Sequence, residues 1–422
     1  MNILVVGGGG REHALARKLG QSKRTGKLYC IPGNAGIASD AICPRPDLKT
    51  TDIPEIIEFA VENKIDFAVV APDDPLVLGM VDAFHQKGIP AFGPSKAAAA
   101  IEGSKVFSKG LMQKYGIPTA KYKAFTDMRE AERYIEDSSA YPVVIKADGL
   151  ALGKGVVIAD DLDSAKVAIR SMMEDKIFGE SGSEIVVGEF LKGPEVTVLA
   201  FCDGKTIVPM VSSMDHKRAF DGNLGPNTGG MGAIAPNPHY TPETAKLCMK
   251  DIFLPTVEAM NRENRPFRGC LYFGLILTAD GPKVIEYNCR FGDPEAQAVL
   301  ELLDTDLLEI MLAVSSGKLD TLTIKWKDGA AACIVAASGG YPGKYRTGHT
   351  ISGLSRDGQA GGAVVYHAGT QHAGDEFATN GGRVLGVTAQ AETLSKALEE
   401  AYKAIGKIKF DGMFYRTDIG KY

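Results

Sequence analysis

The run Val284-Ile285-Glu286-Tyr287-Asn288-Cys289-Arg290-Phe291-Gly292-Asp293-Pro294-Glu295 constrains this chain more than any other stretch. Its first five residues alternate as a strand does, which predicts Val284, Glu286 and Asn288 on one face and Ile285 and Tyr287 on the other. A carboxylate and an amide oxygen then stand side by side. Both are hard oxygen ligands of the kind Mg²⁺ takes beside nucleotide phosphates. A cation, Arg290, and two more acids, Asp293 and Glu295, follow the strand. Glu286 alone reads equally well as a solvated edge charge. The whole run, directly after an apolar strand, points to a metal and anion site.

A chain of 422 residues exceeds a single core and predicts two to four domains. Its net charge of -5 gives no reason to expect a nucleic-acid partner, so an anionic ligand must be met by local cations and backbone N–H groups. The 7 cysteines are scattered and form no CxxC pair, which favours free thiols in a reducing compartment over disulfides or structural zinc. Met1-Asn2-Ile3-Leu4 runs into a strand without a basic leader, and no apolar run approaches the ~18 residues of a membrane span. The expectation is a soluble cytoplasmic protein with no membrane partner.

Residues 2–6 form an apolar strand, Gly7-Gly8-Gly9-Gly10 a turn, and Arg11-Glu12-His13 opens a helix. Strand, glycine turn and helix N-terminus make an anion cradle. It is not a dinucleotide fingerprint, because Glu12 and His13 stand where the third glycine is needed. That weakens a nicotinamide-dependent oxidoreductase. Strands at 67–71, ending in Pro72-Asp73-Asp74-Pro75, and at 89–92 continue the βα alternation, which predicts a parallel sheet ending near residue 101.

The pattern then changes. Glu102-Gly103-Ser104-Lys105 opens a helix, and residues 141–147 form a strand carrying Lys146. The hairpin Asp148-Gly149-Leu150-Ala151-Leu152-Gly153-Lys154-Gly155 leads into a strand at 156–159. Lysines beside a glycine-rich hairpin suit a lid over nucleotide phosphates. No Walker A is present, since the leading glycine before Gly204-Lys205-Thr206 would fall at Leu199. The strand at 185–191 leads into Gly193-Pro194-Glu195 and reads either as an adenine slot or as plain core. Ser213-Met214-Asp215-His216-Lys217-Arg218 and Gly225-Pro226-Asn227-Thr228-Gly229-Gly230-Met231-Gly232 read as loops presenting charged groups. A hairpin, 270–277 with 283–288, carries the metal-ligand pair, and a helix over 302–315 follows. From about 329, glycine turns between strands at 331–337 and 363–367, with a helix at 392–405, predict a small α+β cap.

Together these motifs resemble the ATP-grasp enzymes and, within them, the phosphoribosylamine–glycine ligase family, over essentially the whole chain. The carriers are Gly9-Gly10-Arg11-Glu12-His13-Ala14, Pro32-Gly33-Asn34-Ala35-Gly36, Lys146-Ala147-Asp148-Gly149-Leu150-Ala151, Asp215-His216-Lys217-Arg218, the 225–232 run and Asn288-Cys289-Arg290-Phe291-Gly292-Asp293-Pro294-Glu295. The resemblance implies a multidomain α/β and α+β fold. Residues 1–101 would form a Rossmann-like N-terminal parallel sheet and 102–328 an ATP-grasp domain, with a mobile lid at about 119–190. Residues 329–422 would form the C-terminal α+β domain. It also implies an ATP-dependent ligase joining glycine to 5-phosphoribosylamine through a glycyl phosphate, the second step of purine synthesis. ATP would be co-substrate, Mg²⁺ or Mn²⁺ the metal, and a monomer the expected state.

By that resemblance Glu286 and Asn288 hold the metal. Lys105 and Lys146, with Gly149, Gly153, Lys154 and Gly155 of the lid, meet the ATP phosphates. Val187, Glu189, Phe190 and Leu191 border adenine, and Glu195 meets the ribose. Arg290, Asp215 and Lys146 are the catalytic candidates. Gly9, Gly10, Arg11, Asp73, His216, Lys217, Asn227, Thr228, Gly229, Gly230, Met231, Gly232, Asp293 and Glu295 join Asp215 and Arg290 around glycine and the phosphoribosyl group. Two positions depart from the family pattern: Pro72-Asp73-Asp74-Pro75 replaces Pro-Glu-x-Pro, and Gly188 replaces a glutamate before Glu189. The alternatives are an ATP-grasp ligase for another carboxylate and amine, and a nucleotide-binding module without turnover.

Overall fold

The computed structural model describes residues 1–138, 140–149, 155–177 and 179–421. Four parallel strands open the chain, in the order Lys27–Pro32, Asn2–Gly7, Phe67–Val70, Ala91–Phe92. Ile3, Leu4, Val5 and Val6 are fully buried, as a strand covered on both faces requires. The last strand is shorter than the expected 89–92. Pro90 has no N–H to donate, and the Ile89 N–H is spent on Phe84 O at a helix end.

Helices Lys96–Gly103 and Lys105–Tyr115 lead out of this sheet. The helix expected to open at Glu102 opens at Lys105 instead, because Ser104 is extended and its Oγ accepts the Phe107 N–H at 3.0 Å. Glu102 therefore lies in the last turn of the helix before, Lys96–Gly103. An antiparallel sheet follows, ordered Tyr122–Phe125, Ile185–Glu189, Val143–Ala147, Val156–Ala159. Helices Met128–Glu136 and Leu162–Met173 pack on it around Ile145, Ile169 and Val187.

The next sheet runs Ile207–Pro209, Glu195–Asp203, Arg268–Thr278, Gly281–Asn288. Its last pairing matches Gly274 with Glu286 and Leu275 with Val284, leaving Ile285 as an extra residue. This bulge corrects the simple alternation. Val284 and Tyr287 both enter the core, while Glu286 keeps a third of its side chain exposed.

A five-stranded sheet closes the molecule in the order Met214–Asp215, Gly232–Ala235, Ala330–Ala337, Arg383–Ala391, Val364–His367. Two of its strands precede residue 329, so the cap is completed by the segment expected to be loop. Within that segment Leu224–Asn227 pairs with Arg218–Phe220, and Gly232–Ala235 pairs with Ala330–Ala337. Residues 228–231 remain a connection between strands. Two helices start later than expected, each at a side-chain cap. Asp306 accepts from Leu308 N ahead of Leu307–Ser316, and Thr393 accepts from Lys396 N ahead of Leu394–Ile405. Among the described residues no helix is long and apolar enough to cross a membrane.

Candidate active site

Glu286 is held from several sides by ammonium groups. Lys217 Nζ lies 3.5 Å from its Oε1 and 3.7 Å from Glu195 Oε2. Lys217, aided by Lys146 and Lys105, outweighs burial and brings the Glu286 carboxyl down to about 2. The same Glu286 charge raises Lys217 well above an ordinary lysine. Burial pushes Lys105 and Lys146 the other way, with Glu286 opposing. Lys105 Nζ donates to Gly149 O at 2.6 Å and Lys146 Nζ to Ile285 O at 3.1 Å, which ties the lid sheet to the metal-ligand strand. Two carboxylates, Glu286 and Glu195, thus face three lysines, an excess of positive charge suited to a polyphosphate. Asn288 Oδ1 accepts from Arg290 Nη2 at 3.2 Å, which fixes the amide. An ionised, partly open carboxylate beside an oriented amide oxygen fits a hard divalent cation.

Arg290 pairs with buried Glu102 at 3.1 Å, and its Nε has no partner. Glu102 also accepts the Cys289 N–H at 2.7 Å. Burial raises the Glu102 carboxyl, and Arg290 opposes that; Asp73 adds to the rise, so the acid after Pro72 faces this pair. Asp215 is the second focus. Its Oδ1 is buried without a hydrogen bond. Burial and the neighbouring Glu295 carboxylate push it well above the usual range, against Lys217 and Arg383. Glu295 is 2% exposed and accepts from Thr197 Oγ1 at 3.4 Å, which meets Tyr272 OH at 3.0 Å. Half-buried Asp215, with its unpartnered Oδ1, beside buried Glu295 makes a place that a cation would satisfy.

Asp293 links the glycine cradle to the closing sheet. Arg383 Nη2 lies 3.2 Å from Asp293 Oδ2, and Arg383 Nη1 donates to Gly229 O at 2.8 Å and to Asp293 O at 2.6 Å. Gln297 donates to Asp293 Oδ1 at 2.7 Å. Gly9 and Gly10 lie against this group: a Cβ on Gly10 would stand 3.6 Å from Asp293 Oδ1. Gly9 N donates to Glu12 at 2.6 Å, and Arg11 bonds Glu12 and the Phe291 carbonyl.

Other expected residues fall elsewhere. His216 is buried between Gly232 O at 3.2 Å and the Gly420 N–H at 3.0 Å, away from the acid pair. Thr228 bonds Lys217 O and the Gly230 N–H, Met231 is fully buried, and Asn227 and Gly232 lie in strands. Val187 is core of the lid sheet, Glu189 accepts from Lys121 N at 3.0 Å, and Phe190 and Leu191 are half-buried. Gly155 O accepts from Ala147 N at 2.9 Å, while Gly153 and Lys154 lie outside the described residues. Glu102, Thr197, Tyr272 and Arg383 escaped sequence reasoning. Tyr272 alone had a signal, its place on the predicted 270–277 strand.

Models of the phosphoribosylglycinamide synthetase N domain, ATP-grasp (A) domain and C domain match residues 1–102, 103–296 and 331–422. The chain belongs to the phosphoribosylglycinamide synthetase family. It is 49% identical over 419 residues to the phosphoribosylamine–glycine ligase of Caldanaerobacter subterraneus subsp. tengcongensis, covering 99% of each chain. It is 47% identical over 421 residues to that of Vibrio vulnificus, covering 100% of this chain and 98% of the relative. The crystal structure of the Thermotoga maritima phosphoribosylamine–glycine ligase superposes with a TM-score of 0.87 at 30% identity, over 99% of this chain and 100% of that one. The biotin carboxylase domain of Hydrogenobacter thermophilus 2-oxoglutarate carboxylase, solved with MgADP and bicarbonate, shares the fold with a TM-score of 0.76 at 16% identity, over 98% of this chain and 91% of that one. As a synthetase of this family the chain is a ligase on an ATP-grasp scaffold, the fold and class that the sequence motifs implied.

Proposed function

We propose that this chain joins glycine to 5-phosphoribosylamine with ATP, giving glycinamide ribonucleotide, ADP and phosphate. The observation that carries the reading is the pairing of two unlike subsites. A carboxylate ringed by Lys105, Lys146 and Lys217 adjoins an acid pair, half-buried Asp215 and buried Glu295, with an unpartnered oxygen. The first suits a triphosphate and the second an ammonium.

Glu286 and Asn288 would hold Mg²⁺ or Mn²⁺, which supplies charge neutralisation for the transferring phosphoryl group. Lys105 and Lys146 bind phosphate oxygens under the 149–155 lid. Asp215, with Glu295, grips the ammonium of glycine and gives up its own proton when that cation enters. Arg290, fixed by Glu102, directs a guanidinium toward the glycine carboxylate. Held there, a carboxylate oxygen attacks the γ-phosphorus, the bond to the β-phosphate oxygen breaks, and ADP leaves with that electron pair. The amine of phosphoribosylamine then attacks the glycyl carbonyl carbon, the C–O bond to phosphate breaks, and the amine loses a proton. Positioning and charge supply most of the rate in such transfers. An acyl phosphate hydrolyses readily, so lid closure that excludes water protects it. Gly9 and Gly10, packed against Asp293, would border the phosphoribosyl group.

The test is a product assay with ATP, glycine and freshly made phosphoribosylamine, each omitted in turn. Glycinamide ribonucleotide should form only with all three, one ADP per product. ADP release unaffected by omitting glycine would overturn the proposal.

A further inference from the structure

An open cavity of about 380 Å³ lies on the closing segment, lined by Gly339, Lys344, Tyr345, Arg346, His349 and Asp411. Its charge is one-sided. Lys344 and Arg346 are exposed, and among the described residues neither has an ion-pair or hydrogen-bond partner. The one acid, Asp411, is 86% exposed and lies 3.6 Å from His349 Nδ1, so it serves the imidazole and leaves both longer cations unneutralised.

The segment that lines the cavity is held by backbone contacts at its two ends. A Cβ on Gly340 would collide with the Lys344 carbonyl, so the turn that presents Lys344 closes on bare backbone. At the other end Gly348 N donates to Thr379 O at 2.7 Å and His349 N to Thr379 Oγ1 at 3.1 Å. Residues 344–349 thus run between these two contacts, and Lys344, Arg346 and His349 line one hollow. An exposed tyrosine ring, Tyr345, forms one side.

We propose that this cavity binds a phosphate monoester, with Lys344, Arg346 and His349 as the anion partners and Tyr345 flanking the attached sugar or base. Paired basic side chains bind phosphate strongly through charge-assisted hydrogen bonds. The volume holds a sugar phosphate or a mononucleotide. A chain of contacts runs from the cavity to the 228–231 connection. Tyr345 packs with Tyr341 at 6.3 Å, both rings lie on Gly382, and Tyr341 OH accepts the Gly229 N–H at 3.0 Å. Arg383, next in the chain, holds Gly229 O and Asp293. A ligand seated on Tyr345 therefore bears on the 228–231 connection.

Two sources share this chemistry: the 5-phosphate of the sugar amine, which rests on the proposed function, and a separate phosphorylated effector. Calorimetry on the full chain uses ribose 5-phosphate, with ribose and AMP alongside. Ribose 5-phosphate should bind, ribose should not, and Lys344→Ala with Arg346→Ala should weaken binding about tenfold or more. If the phosphate belongs to the substrate, the double variant raises the KM for phosphoribosylamine by a similar factor, with kcat and the KM for ATP and glycine little changed. If it belongs to an effector, that KM stays put and AMP binding is lost. Ribose 5-phosphate and AMP binding both unchanged in the double variant would overturn the inference. Since Lys344 and Arg346 are exposed, the variant should fold, which a matching Tm checks. Product formation that persists in that case leaves the ligase reading intact.

Discussion

At the scale of single residues the site is an electrostatic balance centred on Glu286. Replacing it by Gln removes the charge that offsets Lys217, Lys146 and Lys105 and the charge that would seat a divalent cation. Glu286→Gln should lower ADP formation about a hundredfold or more even in saturating Mg²⁺. Near-normal turnover would sink the metal assignment. The same residue makes a pH prediction. Its folded value, about 2, lies below the ordinary 4.5, so the stability it contributes is complete above 4.5 and fades as pH falls toward 2. Denaturant midpoints of wild type and Glu286→Gln should differ by a constant amount at neutral pH and draw together as pH falls from 4.5 toward 2. Glu286, Asn288, Asp215 and Arg290 were legible beforehand because each sits in a local motif whose chemistry is visible in a few residues. Glu102 and Arg383 were not. Glu102 reaches Arg290 across 188 positions of chain, and Arg383 reaches Asp293 across 90. No local pattern encodes such a meeting.

At the scale of elements the devices are a bulge, a strand that forms only against its partner, and a glycine. The Ile285 bulge turns Glu286 outward while Val284 and Tyr287 stay in the core. A reading by period two could find the strand and not this reset, because a bulge needs the partner strand to be seen. The 225–232 run misled in the opposite sense. Its glycines and Asn227 look like loop, yet the strand starting at Gly232 forms because Ala330–Ala337 offers it an apolar partner. Gly230 connects these strands with φ +116, and a Cβ there would strike Pro294 Cδ and stand 2.6 Å from Asp215 Oδ1. Gly230→Ala should cost about 1–3 kcal/mol in stability from backbone strain alone. It should also displace Asp215, raising the KM for glycine about tenfold or more while the KM for ATP moves little. Equal changes in both KM values would mean that the connection supports the fold and not the ammonium subsite.

At the scale of the molecule, buried neutral histidines join distant segments. His13 Nδ1 accepts the His367 N–H at 2.8 Å, and His216 Nε2 accepts the Gly420 N–H at 3.0 Å. Each bond needs an unprotonated nitrogen. Burial, with Arg416 adding to it, holds His216 at about 4 against the ordinary 6.5, so the unfolded chain binds the extra proton between those values. Stability from this residue is complete above 6.5 and is lost as pH falls toward 4. Thermal unfolding of His216→Gln should therefore show a shallower fall across that window than wild type; parallel curves would count against the assignment. The same long-range stitching bears on where the chain can be cut. Family models end one region at 296 and begin the next at 331, but Gly232–Ala235 lies between Met214–Asp215 and Ala330–Ala337 in one sheet. Ala233, Ile234 and Ala235 are fully buried there. A fragment of residues 329–422 alone would expose Ala330-Ala331-Ala332-Cys333-Ile334-Val335-Ala336-Ala337 as a bare apolar edge, the pattern that invites strand-to-strand aggregation. Expressed alone it should aggregate or lack a cooperative melt, and a fragment extended to include residues 210–236 through a short linker should recover one. A sharp two-state transition in the 329–422 piece by itself would show that the borrowed strands are dispensable to its core.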